Sequence, residues 1–143
     1  MYIYLLPPLV SFVLAQGTKM LLRLRKRKLT WRDLTAYSDM PSGHTAIVTS
    51  LAVIVALKAG AASPFFAISF IFAAIVISDA VGLRNYLGEH GKTINVLVED
   101  LKEDEFLDRR YRKQTEKIGH TPIQVLIGAL IGAAVSVLGY FLF

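Results

Sequence analysis

The chain has 143 residues, 54% of them hydrophobic, no cysteine and a formal net charge of +5, with a mean hydropathy of +0.49. The lack of cysteine removes disulfide frameworks, thiolate nucleophiles and cysteine-held metals. Long apolar runs beside concentrated basic charge exclude an ordinary soluble domain and point to a small membrane protein, and no base-stacking aromatics are interleaved with the basic residues as a nucleic-acid surface needs.

Residues 2–22 form the first apolar run, with Pro7-Pro8 near its start. No basic segment precedes it, so it reads as a retained span rather than a cleaved signal. It ends at Lys19 and the basic run Arg23–Lys28, followed by a polar loop holding Trp31 and Tyr37, residues suited to a membrane interface. The second run covers 42–60 and the third 65–83, joined by the turn Ala59-Gly60-Ala61-Ala62-Ser63-Pro64. Residues 84–120 are charge-rich and amphiphilic, expected as one or two helices outside the membrane or at its surface. The fourth run, 121–143, has Pro122 in its first turn, where proline is tolerated.

Each run approaches the roughly 20 residues that a span requires. The expected fold class is therefore all-α: one polytopic membrane domain with about four transmembrane helices plus an amphiphilic helical segment. The tight hairpin of runs two and three also admits short or re-entrant helices. In run four, Gly128-x-x-x-Gly132 beside Ala129-x-x-x-Ala133 is a close-packing pattern that serves either packing within the chain or a homodimer.

Of the 16 Lys and Arg, all but Lys58 fall within 19–41 or 84–117. The positive-inside rule puts segments 23–41 and 84–120 in the cytoplasm and both termini outside. Lys58 is expected to snorkel to the far interface. With four spans, the ends of helices one and three meet the starts of helices two and four, so Lys19, Ser42, Gly43, His44, Asp79, Arg84 and His120 share one level of the membrane.

Two of the three histidines stand at helix starts on that shared face, in Pro41-Ser42-Gly43-His44 and Gly119-His120-Thr121-Pro122. Helix N-termini offer unpaired N–H groups and a positive dipole end to anions. Ser42 is suited to cap its helix and Gly43 to let a ligand approach the backbone. Paired histidines suit phosphoryl transfer, one as nucleophile and the other as acid for the leaving oxygen. Gln124, one turn after His120, is placed to orient an imidazole, while basic side chains steady the phosphoryl oxygens. His90 and the acidic run from Glu99 to Glu105 read as solvated surface, and no metal site is expected. Asp79 is either a catalytic carboxylate or a partner of Arg84 or Lys19, and Asn95 either lines the pocket or makes a simple cap or surface contact.

Pro41-Ser42-Gly43-His44, and Gly119-His120-Thr121-Pro122-Ile123-Gln124-Val125 followed by Gly128, resemble the second and third signature motifs of the type 2 phosphatidic acid phosphatase and vanadium haloperoxidase superfamily. Ala15-Gln16 with Lys19, Asp79-Ala80-Val81-Gly82-Leu83-Arg84, and Ile94-Asn95 with Glu99-Asp100-Leu101 extend the likeness to that superfamily's small divergent membrane branch, over nearly the whole chain. The resemblance implies that His120 is a nucleophile forming a phosphohistidine, that His44 is the general acid, and that Ser42, Gly43 and Lys19 contact phosphate. It also implies that no cofactor is needed.

Three positions depart from the usual pattern. Lys26-Arg27 stands where Arg-Pro closes the first motif, Gln114 replaces an arginine, and Gln124 replaces a carboxylate. Arg84, Arg112, Lys113 and Lys117 are candidates to replace the missing arginine. The expected function is a phosphatase of lipid phosphates, with membrane lipids as partners. The alternative is a non-catalytic protein that binds anionic lipids and has lost turnover.

Overall fold

The computed structural model describes residues 2–25, 39–101 and 111–142. Trp31, Tyr37, the basic residues Lys26 to Lys28 and the acidic residues Glu103 to Glu105 lie outside them. The described residues form five helices and no strand: α1 (Tyr2–Leu24), α2 (Gly43–Ala59), α3 (Pro64–Val81), α4 (Leu83–Asp100) and α5 (Pro122–Leu142). Three of the helical stretches are long and apolar enough to cross a membrane: α1, the α3–α4 stretch and α5. At 17 residues α2 is shorter, about 26 Å at the usual rise per residue. It still approaches the ~30 Å of a hydrocarbon core.

The centre of the bundle is α2, which packs against α1, α3 and α5. The sequence explains why. A helix apolar on all sides has no face to give to water, and α2 buries small and branched residues around its circumference, including Ala46, Val48, Ser50, Ala52, Ile54 and Val55. On the α5 side the partner surface is glycine. A Cβ on Gly128 would run into the Ser42 carbonyl, and one on Gly132 would meet the Ala46 carbonyl and lie 3.0 Å from the Ser50 nitrogen. The small-residue spacing of α5 is thus occupied by α2 of the same chain. Lower down, the Ser50 and Ser136 hydroxyls are 2.6 Å apart and Ser136 also donates to the Ser50 carbonyl at 2.7 Å. This is a buried polar clasp between the two helices.

Gly60, with φ of 88°, ends α2 in a conformation that favours glycine. Ser63 then caps α3, accepting from the Phe66 N–H at 3.2 Å, with Pro64 in the first turn. The second and third runs are therefore two full helices of 17 and 18 residues. At the other end of the bundle, Gly82 interrupts the helix with φ −109° and ψ −88°, and the chain continues directly into α4.

One stripe of α4 (Leu83, Leu87, Ile94, Leu97, Leu101) is exposed and apolar, as suits a helix lying at a membrane surface. Another stripe buries Gly88, Gly91 and Asn95. Residues 111–121, which return the chain to α5, lie along this second stripe without forming a helix. A Cβ on Gly88 would collide with the Glu116 carbonyl, and one on Gly91 would sit 3.0 Å from the Thr115 carbonyl. Asn95 binds this strap like a short piece of backbone. It accepts from Gln114 N–H at 2.8 Å, donates to the Gln114 carbonyl at 3.0 Å and to Glu116 at 2.8 Å, and accepts from the Tyr111 hydroxyl. Asn95 is thus a clamp on the segment leading to His120, more than a cap or a surface contact.

Candidate functional site

The two histidine motifs meet through their backbones. The Ser42 N–H donates to the Gln124 carbonyl at 3.1 Å, tying the turn before α2 to the first turn of α5. The His120 N–H donates to the Ala80 carbonyl at 2.9 Å, and Asn85 donates to the His120 carbonyl at 3.2 Å. His120 is thereby held between the end of α3, the start of α4 and the strap. It is only 3% exposed, and neither ring nitrogen has a hydrogen-bond partner among the described residues.

Burial is the main cause that holds the His120 imidazole at a pKa of about 4, well below its ordinary 6.5. The positive charges of Lys19, His44 and Arg84 act in the same direction, against a smaller opposing effect of Asp39. His120 is accordingly neutral at physiological pH, with lone-pair character on its ring, and it stands among three basic groups. Lys19 is 4% exposed on α1 and makes no hydrogen bond or ion pair among the described residues. An unpaired ammonium inside a spanning helix is costly unless an anion or water serves it. Arg84 and Lys19 lie within electrostatic reach of His44 as well, so all four groups form one cluster.

Other expected site residues do different work. Ser42 is fully buried, and its hydroxyl accepts from the Thr45 N–H at 3.4 Å and the Thr45 hydroxyl at 2.9 Å. It caps α2 as expected. On its Cβ side Gly43 faces α1: a Cβ there would lie 3.2 Å from the Phe12 ring and 3.5 Å from the Gln16 amide, so the glycine lets the two helices pack closely.

Gln124 does not orient His120. Its Oε1 accepts the Thr121 N–H at 2.9 Å, because the first N–H groups of α5 need an acceptor and the Gln124 side chain is within reach of them. Asp79 is paired with Arg84 at 2.5 Å and bonds neither histidine. Arg112 is exposed on the strap, where its carbonyl accepts from the Gln114 side-chain amide at 2.8 Å. Among the described residues no three His, Asp or Glu side chains come together as metal ligands would.

Sequence reasoning missed Arg23 and Asp39. Arg23 is 7% exposed and pairs with Asp39 at 2.5 Å, just before the Pro41-Ser42-Gly43-His44 turn. The signal was present: Lys19 and Arg23 are one turn apart on a spanning helix, a like-charge repeat that is unfavourable without an anion. In the linear chain Arg23 is indistinguishable from the other residues of the basic run Arg23–Lys28.

Two cavities border the cluster. A polar cavity of about 580 Å3 is lined by Asp39, Lys92, Glu116, Lys117, His120 and Gln124, among others. An apolar cavity of about 320 Å3 lies between α1, α2 and α3, and His44 forms part of its wall.

A bundle of apolar helices with its buried ionisable side chains gathered at one end is an integral membrane protein. The chain belongs to the Divergent PAP2 family, a phosphatase-related membrane family whose model matches residues 3–135. It is similar to the uncharacterized membrane protein YuiD of Bacillus subtilis (strain 168), with 39% identity over 148 residues that cover 96% of this chain and 94% of the relative. No solved structure matches it.

Proposed function

We propose that the protein hydrolyses a phosphoric monoester or diphosphate of a membrane lipid through a phosphohistidine on His120. The observation that carries this reading is His120 itself: buried, neutral, unpartnered at both ring nitrogens among the described residues and surrounded by Lys19, His44 and Arg84. A neutral imidazole is a competent nucleophile toward phosphorus, and fixed cations stabilise the charge on the equatorial oxygens. In the first step a His120 nitrogen forms a P–N bond as the bond from phosphorus to the lipid oxygen breaks, and protonated His44 donates its proton to that oxygen. In the second step water attacks phosphorus, His44 takes up the water's proton, and phosphate leaves with His120 restored. Lys19 and Arg84 hold the phosphoryl oxygens throughout. The positive-inside bias puts the site at the cytoplasmic face, which favours lipids whose phosphate is presented there.

A second reading is supported by Gln124 and Asp79. Neither bonds His120, so no carboxylate is hydrogen-bonded to its ring among the described residues, and the cluster would then bind lipid phosphate without turning it over. Phosphate release from a panel of lipid phosphates by purified protein, beside His120→Ala and His44→Ala, separates the two. Turnover that disappears in both variants, with acid-labile phosphate trapped on wild type but not on His120→Ala, supports catalysis. Silence in all three, with lipid phosphates still raising the Tm, supports the binder.

A further inference from the structure

We propose that the apolar cavity between α1, α2 and α3 is the binding site for the hydrocarbon chain of the lipid phosphate. This rests on the phosphate site described above and adds the part of the substrate that makes it a lipid.

The geometry is in the sequence of α2. His44, Ile47, Val48 and Leu51 follow one another at spacings of three, one and three, so they occupy one face. All four line the cavity, with Tyr4, Leu5, Pro8 and Leu9 of α1 on one side and Phe72 and Val76 of α3 on the other. The stripe descends from His44 by two turns, roughly 10 Å along the helix axis. Its wall presents apolar atoms from end to end, the rings of Tyr4 and His44 included. Leu5, Leu9 and Phe72 are all more than half exposed, so the cavity opens sideways between spanning helices, where a lipid enters without leaving the bilayer.

The occupant follows from continuity with the charged cluster. His120 lines the polar cavity and His44 the apolar one. A phosphate held between the histidines therefore has water on the His120 side and hydrocarbon on the His44 side. A lipid phosphate fits that polarity: its ester oxygen lies beside His44, which protonates it, and its chain continues down past Ile47 and Leu51. A water-soluble phosphate ester leaves the apolar wall without a partner.

Replacing Leu51 by Trp tests this by filling the cavity below His44. The ratio of kcat/KM for hexadecyl phosphate to that for butyl phosphate should fall about tenfold or more, because the indole occupies space that only the longer chain needs. Because the ratio is internal to each variant, partial misfolding cancels. An unchanged ratio overturns the chain site. A second measurement is independent of turnover: a hexadecyl phosphate carrying a diazirine near its middle, photolysed on His120→Ala protein in vesicles. Adducts on Ile47, Leu51, Phe72 or Val76, suppressed by excess hexadecyl phosphate, support the site, while adducts spread over the outer faces of α3 and α5 overturn it. If those adducts form but wild type hydrolyses neither ester, the chain site stands and the phosphatase reading falls. If hydrolysis occurs with adducts elsewhere, the chain site alone falls.

Discussion

At His120, burial has a thermodynamic consequence that can be measured without any substrate. The unfolded chain takes up a proton on this imidazole near pH 6.5, whereas the folded chain holds it neutral down to about 4. Between those values the unfolded state binds more protons, so stability falls as pH falls, by up to roughly 1.4 kcal/mol per pH unit from this group. Above pH 6.5 the contribution is fully present. Melting in detergent at pH 7 and pH 5 should therefore show a larger loss for wild type than for His120→Asn. Equal losses would mean that His120 is solvated and titrates normally. Lys19 makes the complementary case: with no carboxylate bonded to it among the described residues, Lys19→Met should leave the Tm unchanged or raise it while weakening binding of inorganic phosphate or vanadate. A large drop in Tm would assign the ammonium a structural partner instead.

Among the elements, the strap of residues 111–121 and its cradle on α4 decide where His120 sits. Asn95→Ala leaves the Gln114 backbone groups without their partner, at a cost of about 1–3 kcal/mol. It should also raise the rate at which His120 reacts with diethyl pyrocarbonate, because the strap is no longer pinned. Gly88→Ala, whose Cβ collides with the Glu116 carbonyl, should do the same. A fall in Tm with His120 still protected would reduce the cradle to a packing contact. The Ser50–Ser136 clasp behaves differently. Ser136→Ala strands the buried Ser50 hydroxyl and should cost about 0.6–1.7 kcal/mol, whereas Ser50→Ala leaves the Ser136 hydroxyl its bond to the Ser50 carbonyl and should cost less. The double variant should recover most of that loss, because both hydroxyls are gone together. Simple additivity of the two losses would show that the clasp is not a coupled pair.

For the molecule as a whole, the charge bias implies that the α2–α3 turn and α4 lie on opposite sides of the membrane. The chain has no cysteine, so single cysteines report sidedness directly. In right-side-out cells a membrane-impermeant maleimide should label Ala62→Cys and leave Lys92→Cys unlabelled until the membrane is permeabilised. The reverse pattern would turn the site outward and change which leaflet supplies the substrate. Lys58 belongs to this scale too: its ammonium sits 4.6 Å from the centre of the Tyr140 ring. It therefore ties the far ends of α2 and α5 together through a cation–π contact.

The all-α fold and the approximate helix limits were legible in the linear chain, because a spanning helix is specified by length and hydropathy and both are local. The family was legible as well, in the two histidine motifs and the stretches around them. That helix ends at 19, 42, 79 and 120 share one level followed from counting spans. Partner choice was not legible, because it depends on which groups compete for the same atom. Gln124 was expected to hold an imidazole, but the unpaired N–H groups at the start of α5 are nearer. That Gly43 lets Phe12 of α1 pack against the start of α2 is likewise invisible in its sequence context. Gly128 and Gly132 fit two kinds of helix contact equally well in sequence, and the all-round apolar surface of α2 claims them. What the sequence determined by itself was the set of helices and the end of the bundle at which the ionisable residues collect. Only the tertiary structure decided which polar groups satisfy one another and which, like Lys19 and the ring of His120, have no hydrogen-bond partner among the described residues. Hydrogen bonding and packing are settled by short-range competition in three dimensions, and sequence spacing does not encode its outcome.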